Sequence, residues 1–159
     1  MSQIAPLVDL KPDELEELYL IPVWVCILIA GADNVFSKKE IMSAVNLSRE
    51  KQETGDRFLR DYYKIVYKKF EVNVKGYIAL MPKNLEQRTE FLVSKLTRVN
   101  DLFKKIEINF AHQLYLSFRD FAYHVAHASG GLFGLLSVSF AESKFIDLKM
   151  IDDPSGTET

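Results

Sequence analysis

Two stretches of this chain set ionisable side chains at spacings that could do chemistry. Asp33, Asn34, Phe36 and Glu40 follow the latter half of a calcium loop: an oxygen ligand, a sharp turn, a hydrophobe and a closing glutamate. Ile29 and Gly31 stand where the first half needs oxygen-bearing side chains. Asp33, Asn34 and Glu40 are therefore expected to hold a divalent cation, calcium or manganese, only weakly. A tight turn with Asn34 in a left-handed conformation explains the same residues without an ion. In the second stretch Asp120 precedes His124 by four residues and His127 follows it by three. All three then share one side of a helix, as metal ligands, as a hydrogen-bonded cluster or as a solvated edge. Converging in a pocket, they would make a metal-dependent hydrolase. Neither an H-E-x-x-H arrangement nor paired cysteines accompany them, which leaves a zinc enzyme little support. His112 has no obvious partner.

A third feature is basic. Arg57, Arg60, Lys64 and Lys68 recur at steps of three and four and are interleaved with Tyr62, Tyr63 and Tyr67. They form a polar stripe that is either a solvated helix face or a surface for an acidic partner, with protein or membrane headgroups ahead of nucleic acid. Elsewhere, Ser129-Gly130-Gly131 lacks the lysine and the preceding strand of a phosphate loop and reads as a helix end. The single cysteine, Cys26, sits in an apolar run and reads as a small buried hydrophobe.

Helices must position these groups. Pro12, followed by Asp13, Glu14, Glu16 and Glu17, is a good helix start. Pro22 either restarts that helix or kinks it. Val23 to Ala32 is almost wholly apolar, so this helix is expected at the centre, covered on most sides. Ser37 and Glu40 form a capping box for the next helix, with a boundary between Asn46 and Ser48. Phe58, Leu59, Tyr62, Ile65, Val66 and Phe70 mark an amphipathic helix, broken near Gly55. The run from Phe70 to Met81 is expected to be irregular or partly helical. Leu92, Leu96, Val99, Phe103, Ile106 and Phe110 then trace a seam along one face. An unbroken helix over 84–128 would be about 68 Å long, too long for this domain. A break is expected near Asn100-Asp101 or Ile108-Asn109. Ser139 and Glu142 open a last short helix through Ile151, and 152–159 is a frayed tail.

The corner Val35-Phe36-Ser37-Lys38-Lys39-Glu40 has an echo in Leu136-Ser137-Val138-Ser139-Phe140-Ala141-Glu142. The phrase from Ala30 to Glu40 resembles the signature of the TerB-like proteins of the tellurite-resistance group, with the later corner as their second copy. Asn34 stands where the family prefers glycine, and the second turn lacks the aspartate. The resemblance implies an all-helical stress-response domain linked to metal binding and to complexes at the inner membrane surface, with acidic positions at Asp33 and Glu40.

The whole chain, 159 residues with 20 basic and 22 acidic side chains, suits one domain with a sizeable core and no global pull toward duplex nucleic acid. Its start shows neither a basic nor an apolar leader, and Leu18 to Ala32 is too short to span a bilayer, so a cytoplasmic, non-transmembrane protein is expected. The predicted architecture is all-α, orthogonally packed, with about six to eight helices and two similar helix-loop-helix corners in a single domain over 1–151. Its expected function is a non-enzymatic binding domain beside the Asp33 loop. The alternatives are a scaffold docking through the basic helix and the Asp120/His124/His127 hydrolase.

Overall fold

A computed structural model describes residues 4–32, 36, 38–128 and 145–156. Among these the chain is helical without a strand: after a 3-10 turn at Ala5–Leu7 come α1 (Pro12–Ala30), α2 (Lys38–Glu50), α3 (Arg57–Leu80), α4 (Leu85–Thr97), the short α5 (Val99–Phe103) and α6 (Ile108–His127). The helix starts follow local chemistry. The Lys11 backbone N–H donates to Glu14 Oε1 ahead of Pro12 in α1. Asp56 caps α3 by accepting from the Leu59 N–H, and Asn84 caps α4 by accepting from the Gln87 N–H. Glu107 accepts from the N–H groups of Asn109 and Phe110 at the start of α6.

The apolar run of α1 places it at the centre, where it packs against α2, α3, α4 and α6 and buries every residue from Ile21 to Ala30. The helix does not restart at Pro22 but passes through it. Proline has no N–H to give to the carbonyl four residues earlier, which leaves the Leu18 carbonyl without its helical donor. The hydroxyl of Tyr62, on α3, donates to that same oxygen at 2.6 Å. A buried orphan is thereby satisfied from a neighbouring helix.

Several expected boundaries are corrected. No boundary falls between Asn46 and Ser48, because α2 continues to Glu50; the turn comes later, around Gly55 at φ +84°. The stretch from Phe70 is not irregular but helical to Leu80. Phe70 and Val74 continue the buried face begun by Tyr62 and Val66, and Tyr77 packs 4.4 Å from Trp24, centroid to centroid. That continuous face outweighs the strand preference of Val72, Val74 and Ile78. The long seam breaks twice, at Arg98 between α4 and α5 and again after Phe103 before α6 begins at Ile108, so a break falls near each of the two expected positions, although Asn100 and Asp101 themselves lie within α5. Residues 145–151 form turns rather than the end of a helix.

Trp24, Ile27, Leu28, Leu92, Leu96, Phe103 and Phe110 are buried as expected, and Phe121 of α6 is buried with them. Phe36, Ile41 and Phe58 are only partly buried, packed on the core's edge. Beyond the turns, Leu148 and Ile151 reach into the core. Asn100 donates to the Met150 carbonyl and accepts from the Asp152 N–H, so residues 150–152 are held against α5.

Candidate functional site

The first candidate corner lies between α1 and α2. Asp33, Asn34 and Ser37 fall outside the described residues, as does the second corner with Ser139 and Glu142. Glu40, in the first turn of α2, is buried with 4% of its surface exposed. It sits close enough to Cys26 that its charge, after burial itself, helps push the thiol up to about 12. A residue that sequence reading passed over completes the corner. Arg88, on α4, is also 4% exposed. It donates to the Gly31 carbonyl at 3.0 Å, and its guanidinium carbon lies 4.7 Å from the centre of the Phe36 ring. Burial draws its guanidinium down from the ordinary value. Gly31 is small for a reason of space: a Cβ there would come within 2.5 Å of the Phe36 ring. A permanent cation thus already stands against the carbonyl that opens the acidic loop.

The second candidate set is on α6. Asp120 divides its carboxylate, with Oδ2 2.9 Å from the Lys51 ammonium and Oδ1 3.2 Å from His124 Nε2. His127 is turned differently. Its Nδ1 donates to the Tyr123 carbonyl one turn back at 2.7 Å, and its ring stacks on Tyr123 at 3.8 Å. The structure therefore joins Asp120 to His124 and leaves His127 with its own helix. Among the described residues no group of three or more His, Cys, Asp and Glu is set to hold a metal ion. His124 and His127 do line a cleft of about 670 Å³ between α2 and the end of α6, with Lys39, Ser43, Asn46 and Glu50. Asp120 is not part of its wall. His112, which had no visible partner in the sequence, donates through Nδ1 to Asp153 at 3.0 Å.

The third candidate is the outer face of α3. Tyr62, Tyr63, Val66, Phe70 and Val74 point inward, and the helical repeat turns Arg57, Arg60, Lys64 and Lys68 to the opposite side, where all four are exposed. Lys64 lies 3.8 Å from Asp61, an exposed pairing worth little. Arg57, Arg60 and Lys68 make no ion pair within 4 Å among the described residues. Of the three arrangements, this one alone presents its charges outward and largely uncompensated.

No helix among the described residues is long and apolar enough to cross a membrane. The fold so described is that of an all-α domain with five helices of seven or more residues. No family model, curated protein or solved structure matches the chain significantly.

Proposed function

We propose that this chain is a non-enzymatic binding domain that docks an acidic surface of a partner protein through the basic face of α3. The observation that carries the reading is the exposed stripe of Arg57, Arg60, Lys64 and Lys68, with Asp61 as its close counter-charge. Charges laid out in this way steer an oppositely charged partner and fix its register. Asp120 is committed to Lys51 and His124, and Arg88 fills the neighbourhood of Gly31. The resemblance of residues 30–40 to TerB-like proteins points to the same class, a stress-associated binding domain acting within a larger complex.

Charge reversal tests the reading. A partner captured by the wild-type chain is expected to be lost from the Arg60→Glu/Lys64→Glu variant, with no change in melting temperature. An unchanged capture profile removes the proposal. On this reading Glu40 belongs to the architecture of the α1–α2 corner. Titration with calcium or manganese, followed by calorimetry and thermal shift, is then expected to give neither heat nor stabilisation at millimolar ion. A saturable heat lost on Glu40→Gln would assign Asp33, Asn34 and Glu40 to a cation instead.

A further inference from the structure

The basic stripe of α3 does not fill its exposed face. Beside it runs a second strip, made of Ile65, Val72 and Ala79 at intervals of seven, with Gly76 between the last two. Val72 is 74% exposed, and Leu80, at the helix end, is 81% exposed. Nothing lies within 4 Å of a Cβ built at Gly76, so the strip carries an open notch between its two most exposed aliphatic side chains. Lys68 and Lys75 border it on one side and Lys69 on the other, with Glu71 pairing with Lys75 at 3.3 Å. One apolar position in every seven, edged by charge, makes a narrow seam, and its companion positions four residues on are Lys69 and Gly76, so a neighbouring helix can set a knob at the glycine but meets lysine beside it. A glycine in mid-helix costs stability, roughly 0.5–1 kcal/mol relative to alanine, and what it gives here is close approach.

We infer that the exposed face of α3 receives an amphipathic helix of the partner, one with a narrow aliphatic ridge bordered by glutamate or aspartate. The inference rests on the proposed docking function and names the kind of partner. Charge complementarity selects it. A ridge seated over Val72 and Gly76 sets its flanking positions against Lys68, Lys69 and Lys75, where acidic side chains gain and basic ones are repelled. A second copy of α3 would oppose lysine to lysine. A lipid surface would suit the lysines, but an interfacial helix inserts bulky residues such as Trp, Phe and Leu along its apolar face. This strip has no aromatic ring, carries its larger aliphatic side chains, Ile65 and Leu80, only toward its ends, and has a valine, an alanine and a notch between them.

The test uses the full chain and a fluorescently labelled synthetic helix with leucine at positions a and d and glutamate at e and g, read by anisotropy. Binding is expected, and Gly76→Leu, which fills the notch, should weaken it by about tenfold or more. The same substitution should raise the melting temperature, since leucine is the better helix former and meets open space, so loss of binding cannot come from misfolding. Lys68→Glu/Lys75→Glu should weaken binding equally, and a peptide with lysine at e and g should not bind. If charge reversal matters and Gly76→Leu does not, the helical partner is wrong and the acidic docking surface stands. The helical partner is equally wrong if an extended polyglutamate chain binds in an Arg60- and Lys64-dependent manner while the helix does not. Binding to phosphatidylglycerol vesicles with neither acidic probe bound overturns both.

Discussion

Arg88 shows how one side chain can organise a corner. Its guanidinium serves the Gly31 carbonyl and covers the Phe36 ring, tying α4 to the end of α1. Arg88→Met keeps much of the stem's packing but removes the donor from a buried acceptor. It is expected to cost about 1–3 kcal/mol in urea unfolding. The signal for this residue was present in the sequence. Arg88, Leu92 and Leu96 are four apart, which puts an arginine on the buried face of α4. What the spacing could not supply was its acceptor, 57 positions away. Cys26 was legible from its neighbours alone, and its chemistry follows from its place. With the thiol held near 12, it carries almost no thiolate at pH 8. Alkylation at that pH should be negligible in the native chain and rapid in denaturant. Fast native labelling, followed by mass spectrometry, would contradict the burial.

At the scale of the element, α1 and α3 depend on each other. Tyr62→Phe is expected to destabilise by about 1–3 kcal/mol, because it leaves the Leu18 carbonyl buried without a donor. In a Pro22→Ala background the backbone N–H returns and can serve that oxygen, so the same substitution should cost much less. A double-mutant cycle on chemical denaturation measures the difference, and additive costs would show that hydroxyl and proline are unconnected. Local pattern marked Pro22 as an interruption but left restart and kink both open, because the answer came from a residue on another helix. The second half of α3 misled for a related reason. Val72, Val74 and Ile78 around Gly76 have the composition of strand pieces, yet the buried positions continue at helical intervals as far as Val74. The grouping of Asp120 with His124 could be read from spacing. Lys51, which takes the other carboxylate oxygen, could not.

For the molecule as a whole, the chain beyond α6 contributes more than a tail. Leu148, buried at φ +46°, and Ile151 sit in the core, Arg119 lies 3.7 Å from Asp147, and His112 meets Asp153. Asp153 is held below the usual carboxylate range, first by the Ser155 hydroxyl and then by the Ser155 backbone N–H and His112. A carboxyl group depressed in the folded state contributes stability in full above its unfolded value of about 4, and that contribution is lost as pH falls through the folded value. Protection of the Ser155 and Gly156 amides, measured against their intrinsic exchange rates, should therefore fall on acidification below about pH 4. Asp153→Asn should remove that dependence, since the amide does not titrate. The helical class was plain from periodicity. The link between residue 112 and residue 153 was not, because it is a product of the tertiary fold.

The Tyr62–Leu18 hydrogen bond also bears on the order in which the molecule is made. A helix whose main chain is completed by a side chain 44 positions downstream is not an autonomous unit. While α1 leaves the ribosome it has a gap at its most apolar stretch, and the gap stays until α3 has been translated and turned back on it. A nascent chain arrested before Tyr62 should hold α1 only as frayed segments open to chaperones, and one arrested after α3 should protect it.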